Sequence, residues 1–426
     1  MLDLKFIREN PDLVKKGLAN KNEMGDVDRI LELDEKRREI LQEAERLKHQ
    51  RNEFSQQVSV LKKEGKPADE IIAQTREVSQ KIKALDGELA EVEKTLAEEL
   101  DRVANLPHSS VPVGKSAENN VLVHAWGKMP EFDFEISDHL EIAERLDLFD
   151  FPRGSKITGR GFPVYKGKGA QLERALINFM LDTHIKQHGY TEIFPPFLAN
   201  ADSMRGTGQL PKLQDDMYYC EKDDLYLIPT AEVPVTNLHR DEILTADQLP
   251  IKYCAYTACF RREAGSWGKD TRGFLRLHQF NKVELVKVVP PEDSYEELEK
   301  LLKDACHILE LLNIPYRVME LCTGDLSFAA AKCYDIEVWS PAEKKWLEAS
   351  SCSNFEDFQA RRMNLRFRRS ANAKPEFPHT LNGSGLATSR LMVALLENNQ
   401  TDEGSVMIPE ALKPYTGFSV LKREDF

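Results

Sequence analysis

Two long stretches near the start of the chain repeat apolar residues at spacings that alternate between three and four. Between positions 30 and 61, eight of ten such positions are apolar: Ile30, Leu33, Ile40, Ala44, Leu47, Phe54, Val58 and Leu61. Between positions 71 and 103, eight of ten are again apolar: Ile71, Val78, Ile82, Leu85, Leu89, Val92, Leu96 and Val103. A mean period of about 3.5 residues is typical of the seam of a supercoiled helix.

A short break from Glu64 to Ala68 separates the two stretches and contains Gly65 and Pro67. Glycine followed by proline ends one helix and lets another begin. The pattern therefore predicts an antiparallel helical hairpin over residues 28–103, with two helices that are each about 50 Å long. A hairpin this narrow has no globular core, so it must project from another part of the protein.

The outer part of this hairpin is basic, although the whole chain has a net charge of −13. Residues 46–83 contain five acidic residues and nine basic ones, which are Arg46, Lys48, Arg51, Lys62, Lys63, Lys66, Arg76, Lys81 and Lys83. The resulting local charge of +4 suits contact with a phosphate backbone. On the pattern alone, a structural or dimerising coiled coil with solvated charged faces is the commoner interpretation.

Length and composition set the outer limits of the fold. A chain of 426 residues predicts two or three domains. It has no run of about 18 apolar residues and no secretory signal at its start, so neither a membrane partner nor secretion is expected. The seven cysteines form no C-x-x-C pair and are odd in number, which argues against a disulfide framework and a zinc ribbon. A reducing cytoplasm is the expected location.

The composition changes after the hairpin. Residues 1–105 are expected to form an N-terminal helical arm, 106–127 a Pro-, Ser- and Gly-rich linker, and 128–426 a second domain. The clearest predicted elements of this domain are strands at Phe162–Tyr165, Tyr190–Leu198, Ile251–Arg262, Leu275–Val289, Ile314–Glu320, Tyr334–Trp339 and Trp346–Ser351, and helices at Gln171–His188, Tyr295–Leu312 and Ser389–Asn398. The expected fold class is α+β, with the coiled-coil arm attached to a mainly antiparallel β-sheet flanked by helices.

One polar stretch runs from Cys259 to Gly265 and, after a loop, from Arg272 to Glu284. Period-two alternation along a strand would place Arg261 and Glu263 on one face. There they could hold a phosphate and accept a hydrogen bond from an amino group. A surface ion pair explains the same spacing, and a lone strand aromatic such as Phe280 lies more often in a core than on a stacking platform.

Two further stretches are weaker by themselves. Glu348 and Ser351 offer oxygens of the kind that Mg²⁺ prefers, although a hydrogen-bonded edge strand explains them equally simply. Residues 382–386 are glycine-rich but lack the spacing of a nucleotide-binding fingerprint, so alone they predict a turn. Arg390 follows at the start of an apolar helix, where it can point at an anion. Lone surface arginines are nevertheless common.

Taken together, these segments resemble the class II aminoacyl-tRNA synthetases. Gly189–Phe197 is similar to motif 1, with its proline at Pro196; Phe260–Glu284 is similar to motif 2, and Gly383–Arg390 to motif 3. More specific signals resemble the bacterial-type seryl-tRNA synthetases: Pro229–Glu232, Gly206–Pro211, Asp215–Tyr218, Glu348–Ser351 and Asn382–Ser384. The likeness covers nearly the whole chain. It implies a ligase that activates L-serine with ATP and transfers serine from seryl-adenylate to the 3′ end of tRNA(Ser); the family also suggests tRNA(Sec).

The resemblance implies an ATP site and assigns roles within it. The implied residues are Arg261, Arg262, Glu263, Arg276, Leu277, Phe280, Glu348, Ala349, Ser350, Ser351 and Arg390. Arg261 would hold the α-phosphate and the acyl carboxylate, and Glu263 would accept from the adenine amino group. Phe280 and Arg390 would stack on opposite faces of the adenine, with Arg390 reaching the γ-phosphate. Arg261 and Arg390 are thus the implied catalytic residues, and Glu348 and Ser351 the implied ligands of Mg²⁺.

The resemblance also implies a serine pocket, formed by Thr230, Ala231, Glu232, Arg261, Glu284, Asn382 and Ser384. Carboxylates and short hydrogen-bonding groups suit the ammonium and hydroxyl of serine. Such a pocket rejects alanine, because the missing hydroxyl leaves buried polar groups unpaired. Threonine is excluded only by lack of room, and one methylene is worth about 1–3 kcal/mol.

The implied partners are a second copy of the chain, with motif 1 at the dimer interface, and the long variable arm of the tRNA, bound by the basic residues of the hairpin. Two other functions are compatible with parts of the sequence. A ligase that loads a carrier protein would generally lack the hairpin, and a non-catalytic RNA-binding or scaffold protein would have lost Arg261 and Arg390.

Five arginines within residues 361–369 could face the tRNA acceptor end or pair with acidic residues.

Overall fold

The computed structural model describes residues 1–263 and 273–423, and this part of the chain forms two compact units. One unit contains residues 2–19 and 23–104, and the other contains residues from 105 onwards together with Met1 and residues 20–22. No helix in the described ranges is long and apolar enough to cross a membrane. The α+β fold class predicted from the sequence is confirmed by the elements of the two units.

The first unit is helical and contains the predicted hairpin. Its helices are α1 (Leu4–Glu9), α2 (Pro11–Asn20), α3 (Val27–Lys63) and α4 (Asp69–Asp101). The side chain of Asp26 caps α3 by accepting from the backbone N–H of Arg29. Ion pairs between Arg37 and Glu93 and between Lys48 and Asp86 join α3 and α4, so the two helices run antiparallel. The turn at residues 64–68 lies between them, as the Gly65 and Pro67 signals predict.

Burial along the hairpin follows the predicted seam, but only in part. On α3 the seam is buried from Ile30 to Leu47, whereas Phe54, Val58 and Leu61 are only partly buried. Arg37 is tolerated at a seam position because its Nε reaches Oε1 of Glu93 on the other helix at 2.9 Å. Since burial of apolar area stabilises a helix pair, the part of the hairpin near the turn is held together least strongly.

The second unit mixes helices and strands. Its helices are α5 (His139–Arg145), α6 (Phe151–Ile157), α7 (Lys168–Lys186), α8 (Ala201–Gly206), α9 (Glu232–Thr236), α10 (Ser294–Leu311), α11 (Phe358–Met363), α12 (Thr388–Asn398) and α13 (Lys413–Thr416). Its strands are β1 (Val121–Trp126), β2 (Phe149–Asp150), β3 (Val164–Tyr165), β4 (Thr191–Glu192), β5 (Leu198–Asn200), β6 (Tyr219–Cys220), β7 (Leu225–Leu227), β8 (Ile243–Thr245), β9 (Ile251–Phe260), β10 (Gln279–Val289), β11 (Tyr316–Glu320), β12 (Lys332–Ser340), β13 (Lys345–Asn354), β14 (Arg366–Arg368), β15 (His379–Ala387), β16 (Val406–Met407) and β17 (Val420–Leu421).

An eight-stranded sheet organises this unit, with the strand order β1-β11-β12-β13-β15-β10-β9-β4. Every neighbouring pair is antiparallel except β4 and β9, which are parallel. Helices α7, α10 and α12 bury their apolar faces in one core that also contains Val283 and Leu285 of β10. Because successive side chains of a strand point to opposite faces, Lys282 and Glu284 of β10 face away from this core.

Three sequence predictions of local structure are wrong. Strand β9 ends at Phe260 and β10 begins at Gln279, so Arg261 and Glu263 lie beyond a strand and do not share a strand face. The segment 190–198 is not one strand but contains β4 and the start of β5, which belong to different sheets. Pro195 and Pro196 separate them, because proline has no N–H to donate to a ladder.

The glycine-rich segment at 382–386 is likewise not a turn, since it lies within strand β15. A Cβ on Gly383 would lie 2.3 Å from Cδ2 of Leu301, and one on Gly385 would lie 2.5 Å from Nε2 of His184. The glycines are therefore required by the close approach of α10 and α7 to this strand. Glycine in a strand is a usual sign of such close approach.

Candidate functional site

A cavity of about 520 Å³ opens on the sheet face that carries Glu284. The residues predicted from the sequence that line it are Thr230, Glu232, Arg261, Glu263, Arg276, Leu277, Phe280, Glu284, Glu348, Ala349, Ser350, Ser351, Asn382, Ser384 and Arg390. Two predicted residues do not line it. Ala231 packs in an apolar cluster with Val235, and Arg262 lies over the ring of Tyr218 at 5.0 Å.

Arg261 is fixed at the end of β9 by contacts on both sides. Its backbone N–H donates to the carbonyl of His278 at 2.9 Å, and Nδ1 of His278 donates to the carbonyl of Arg261 at 3.0 Å. The guanidinium lies 5.2 Å from the ring centroid of Phe280, and Nε donates to the carbonyl of Pro229 at 3.3 Å. The predictions from the sequence missed His278, although it lies within the motif 2 segment.

Glu263 reaches the cavity by a different backbone route from the one that strand alternation predicts. Its φ of 52° lies in the left-handed region, which is uncommon for a residue other than glycine. The carboxylate forms an ion pair of 2.6 Å with Nε of Arg276. Residues 264–272, which include the predicted loop with Gly265 and Arg272, lie outside the described residues.

A cluster of oxygens marks another wall of the cavity. The hydroxyl of Ser351 lies 2.6 Å from Oδ1 of Asp335 and 3.1 Å from Oε1 of Glu348. Burial, and then the charge of Glu348, raise the pKa of Asp335 to about 8. Arg390 is also present, since Nη1 lies 3.3 Å from Oε2 of Glu348 and donates to the Glu348 carbonyl.

These residues fit a magnesium ion. Their donors are hard oxygens of the kind that Mg²⁺ prefers, and the carboxylates of Asp335 and Glu348 both lie within hydrogen-bond distance of the Ser351 hydroxyl. In the described ranges, no group of three or more His, Cys, Asp or Glu residues is arranged to hold a metal. A magnesium ion with one or two protein ligands and several phosphate oxygens is the usual arrangement at nucleotide sites.

The inner end of the cavity contains two buried carboxylates. Oε2 of Glu284 accepts from the hydroxyl of Thr230 at 3.2 Å, and Oε1 accepts from the amide of Asn382 at 3.2 Å. Oε1 of Glu232 accepts from the side-chain amide of Gln359 at 2.7 Å. Burial raises the pKa of Glu284, and burial together with the charge of Glu284 raises the pKa of Glu232 to about 7.

Two buried residues that the sequence predictions missed hold this end in place. Gln359 of α11 donates to Glu232, and its own Oε1 accepts from the hydroxyl of Thr380 at 2.7 Å. Lys282 lies beside Glu284 and forms an ion pair with it. A glutamine on a short helix gives no signal in a single sequence, whereas Lys282 could have been found from its alternation with Glu284.

A fourth missed residue, Glu173 of α7, lies behind the cavity. Its Oε1 accepts from the hydroxyl of Thr388 at 2.6 Å and from the amide of Asn281 at 2.7 Å. Thr388 begins α12, two residues before Arg390, and Asn281 follows Phe280. Glu173 thus joins the segments that carry two cavity residues.

The arginines of segment 361–369 make contacts within the protein. Arg361 pairs with Asp357 at 2.7 Å and lies over the ring of Phe377. Arg369 pairs with both Glu292 and Glu376 at 2.6 Å. Of the two interpretations left open by the sequence, pairing with acidic residues therefore describes these two arginines.

On the hairpin, the nine predicted basic residues divide into two groups. Arg46, Lys48, Lys66 and Lys81 form ion pairs with nearby acidic side chains. In the part of the chain that the structure describes, no ion pair is found for Arg51, Lys62, Lys63, Arg76 and Lys83. Five basic side chains without an ion pair among the described residues are favourable for an anionic partner.

Comparisons with known proteins show which family this chain belongs to. Residues 1–107 match the family model "Seryl-tRNA synthetase N-terminal domain", and residues 218–399 match "tRNA synthetase class II core domain (G, H, P, S and T)". The chain is 58% identical to the serine–tRNA ligase of Chloroherpeton thalassium, covering 99% of this chain and 100% of that protein. It is 57% identical to that of Carboxydothermus hydrogenoformans, over 98% of both chains.

Two solved structures of seryl-tRNA synthetases are similar to this chain over its whole length. The seryl-tRNA synthetase of Pyrococcus horikoshii, complexed with ATP, is 41% identical and superposes with a TM-score of 0.94 over 100% of both chains. The cytoplasmic serine–tRNA ligase of Naegleria fowleri, in complex with AMP, is 29% identical with a TM-score of 0.88 over 100% of this chain and 99% of that one.

Replacement of Glu173 by glutamine is expected to stabilise the protein above neutral pH. Burial raises the pKa of Glu173 to about 7, so folding favours the protonated carboxyl and stability falls as pH rises from about 4.5 through 7. At pH 8 the cost of the buried charge is about 3 kcal/mol, and the neutral amide of Glu173→Gln avoids it while keeping Oε1 as acceptor.

Thermal unfolding followed by circular dichroism at pH 5 and pH 8 measures this effect. The variant should unfold at a higher temperature than the wild type at pH 8, and the difference should shrink towards pH 5. Glu144→Gln, an exposed control on α5, should show no such difference. A lower unfolding temperature of Glu173→Gln at pH 8 would contradict the assignment.

Proposed function

Since the chain belongs to the family of serine–tRNA ligases, we propose that the cavity binds ATP and L-serine side by side and forms seryl-adenylate there. One observation carries the proposal. The guanidinium of Arg261 lies over Phe280 in the predicted ATP half, while its Nε contacts the carbonyl of Pro229, next to Thr230 of the predicted serine half. A single cation is thus shared by the two predicted substrate positions.

In the ATP half, Phe280 offers a flat ring for the adenine, and Glu263 offers a carboxylate oxygen for the exocyclic amino group. Arg276 holds Glu263 in place through their ion pair. Arg390 is proposed to leave Glu348 and turn to the terminal phosphate, since a guanidinium pairs well with phosphate oxygens. Its partner Glu348 is then free for another cation.

Magnesium is proposed to bind at Glu348 and Ser351, where it would neutralise phosphate charge. Asp335 holds the hydroxyl of Ser351 at 2.6 Å and thereby orients the lone pairs of that oxygen towards the cavity. The protein residues otherwise act by position and charge. Arg261 is proposed to stabilise the charge that develops when the serine carboxylate attacks the α-phosphorus, and no covalent enzyme intermediate is required.

In the serine half, the proposed ligands are Thr230, Glu232, Glu284, Asn382 and Ser384. The two carboxylates provide acceptors for the ammonium and hydroxyl of serine, and Arg261 receives its carboxylate. Ala231 is proposed to contribute only packing behind Thr230 and Glu232, and Arg262 only anchoring, since its Nε donates to the carbonyl of Met217 at 2.8 Å.

The second step, transfer of serine to the 3′ end of tRNA(Ser), needs a surface that holds the tRNA. We propose the basic hairpin within the arm of residues 1–105 for this role, with residues 128–426 carrying the catalytic site. Its five basic side chains without an ion pair among the described residues support contact with a phosphate backbone. The inclusion of tRNA(Sec) as a second substrate rests on the family resemblance alone.

A homodimer in the cytoplasm completes the proposal. Phe194 lies on the motif 1 segment, which the family resemblance places at the dimer interface, and its 74% exposed side chain is available for an apolar contact with a second copy. All seven cysteines are free, which suits a reducing compartment.

Serine-dependent exchange of pyrophosphate into ATP tests the first step. The wild type should respond to serine and far less to alanine or threonine. Arg261→Ala should lower the exchange rate by about a hundredfold or more, because the charge of the reacting centre loses its shared cation. Equal exchange with serine, alanine and threonine would refute the serine assignment, and full activity of Arg261→Ala would refute the role of this arginine.

Charge reversal on the hairpin tests the tRNA contact. Lys62→Glu combined with Lys63→Glu should leave serine-dependent exchange within about twofold but raise the KM for tRNA(Ser) by about tenfold, with a weaker salt dependence. Lys222→Glu combined with Lys344→Glu changes the same charge on exposed residues of the other unit and serves as control. An equal rise of the KM for tRNA(Ser) in both double variants would contradict a hairpin site. The same charging assay with tRNA(Sec) tests the second proposed substrate.

Sedimentation analysis tests the dimer. The wild type should sediment at twice its 48.7 kDa chain mass. Phe194→Glu should shift the equilibrium towards the monomer, because it places a charge in the proposed apolar contact. A wild type that sediments as a monomer at micromolar concentration would contradict the proposed assembly.

A further inference from the structure

Lys282 is a buried lysine of the cavity that pairs with Glu284 but is not among the proposed ligands of ATP or serine. It lies on β10 two residues before Glu284, and both side chains point into the cavity. The side chain of Lys282 is 8% exposed and that of Glu284 is 1% exposed. Lysine is seldom buried to this extent unless it is paired, so its position calls for a partner.

The ammonium of Lys282 contacts two residues proposed to bind serine. Nζ forms an ion pair with Oε2 of Glu284 and donates to Oγ1 of Thr230 at 2.8 Å. The hydroxyl of Thr230 in turn donates to the same Oε2 of Glu284, so the three groups close a ring of hydrogen bonds. Oγ1 of Thr230 also accepts from the backbone N–H of Glu232 at 3.2 Å, which ties the ring to the second carboxylate.

The charges at this end of the cavity balance only when Lys282 is counted. Two carboxylates, Glu232 and Glu284, face two cations, Arg261 and Lys282. Serine brings one positive and one negative charge, so its binding keeps the balance. Without Lys282, two buried carboxylates would share one guanidinium, and a buried carboxylate without a counterion takes up a proton.

A protonated Glu284 would be a poor receptor for serine. It would offer a donor to the incoming ammonium group, which has only donors of its own. A cation already at Oε2 keeps the carboxylate charged and directs its other oxygen, which Asn382 also contacts, towards the substrate. Lys282 thereby offsets the free energy of ionising Glu284 before serine binds.

We propose that Lys282 is a positioning residue for serine recognition, which keeps Glu284 ionised and oriented and so sets the pH range in which serine binds. This inference rests on the proposed serine pocket and adds a residue that acts through Glu284. The charged or titratable groups that face Glu284 come from each surrounding element: Lys282 on β10, Arg261 after β9, Glu232 on α9, and the thiols of Cys259 and Cys352 on β9 and β13.

The same strand offers a matched control. Lys287 of β10 is fully buried and forms an ion pair of 2.9 Å with Glu297, but it faces the helical side of the sheet. Replacement of either lysine by methionine removes a buried ion pair of similar chemistry. Both variants are expected to lose stability, whereas only Lys282→Met should change serine recognition.

The experiment measures exchange kinetics between pH 6.5 and 8.5, with KM determined separately for serine and ATP. At pH 7, Lys282→Met should raise the KM for serine by about tenfold or more, since each pKa unit above the assay pH lowers the ionised fraction tenfold. This KM should fall again towards pH 8.5, as Glu284 ionises without help. The KM for ATP should stay within about twofold, and Lys287→Met should show the wild-type profile.

Two further variants separate the proposal from a purely structural role. Lys282→Gln keeps a hydrogen-bond donor without the charge, so it should retain the pH-dependent defect even if Lys282→Met folds poorly. In a Glu284→Gln background, Lys282→Met should raise the KM for serine no further, because the effect acts through Glu284. An unchanged serine KM in the lysine variants, or an increase that is independent of pH, would overturn the proposal. A wild type without serine-dependent exchange would instead overturn the proposed function.

Discussion

The central physical constraint of this protein is the burial of two carboxylates, Glu232 and Glu284, in one cavity. Burial raises the pKa of both carboxyl groups, and the charge of Glu284 raises the pKa of Glu232 further. Such groups persist only where cations and donors are built around them. The sheet face supplies these partners: Arg261 at the end of β9, Asn382 on β15, and Thr230 before α9.

The antiparallel register makes this arrangement possible. Glu284 of β10 pairs with Ser384 of β15, and Ser351 of β13 lies opposite Asp335 of β12. Residues separated by a hundred positions in the chain thus become neighbours across one sheet. Helices α7, α10 and α12 cover the other face and fix the strands, so the polar face can be shaped by side chains without loss of the core.

Much of this arrangement could be predicted from the sequence, because the responsible signals are either periodic or specific to a family. The hairpin follows from its seam and the Gly65–Pro67 break, and the predicted cavity residues follow from motifs 2 and 3 together with the segments Pro229–Glu232, Glu348–Ser351 and Asn382–Ser384. Local geometry was harder to predict. Glu263 reaches the cavity through a left-handed residue rather than a strand, and Gly383 is needed for the approach of Leu301 rather than for a turn.

Supporting residues could not be predicted for a different reason. Glu173 and Gln359 act through contacts with residues far away in the chain, and nothing in the neighbouring sequence reveals those contacts. Glu173 would pass for an ordinary helical glutamate, yet it is buried and accepts from Thr388 and Asn281. Pattern reasoning finds the groups that face the substrate, whereas only the tertiary structure identifies those that hold them.

The hydrogen-bond ring at Thr230, Lys282 and Glu284 also affects how the proposed site would distinguish serine from alanine and threonine. Because these groups satisfy one another, the ring costs little when the cavity is empty, and the proposed site offers serine Oε1 of Glu284, which also accepts from Asn382, and the second oxygen of Glu232. Alanine would bring the ammonium but no hydroxyl, so one of these acceptors would stay unpaired with the substrate, at a cost of about 1–3 kcal/mol. Threonine would satisfy them, so only the lack of space for one methyl group can exclude it. With the proposed serine ligands, selectivity against threonine would therefore depend on the rigidity of the surrounding wall, and the hydrogen bonds of Gln359 to Glu232 and Thr380 hold part of that wall in place.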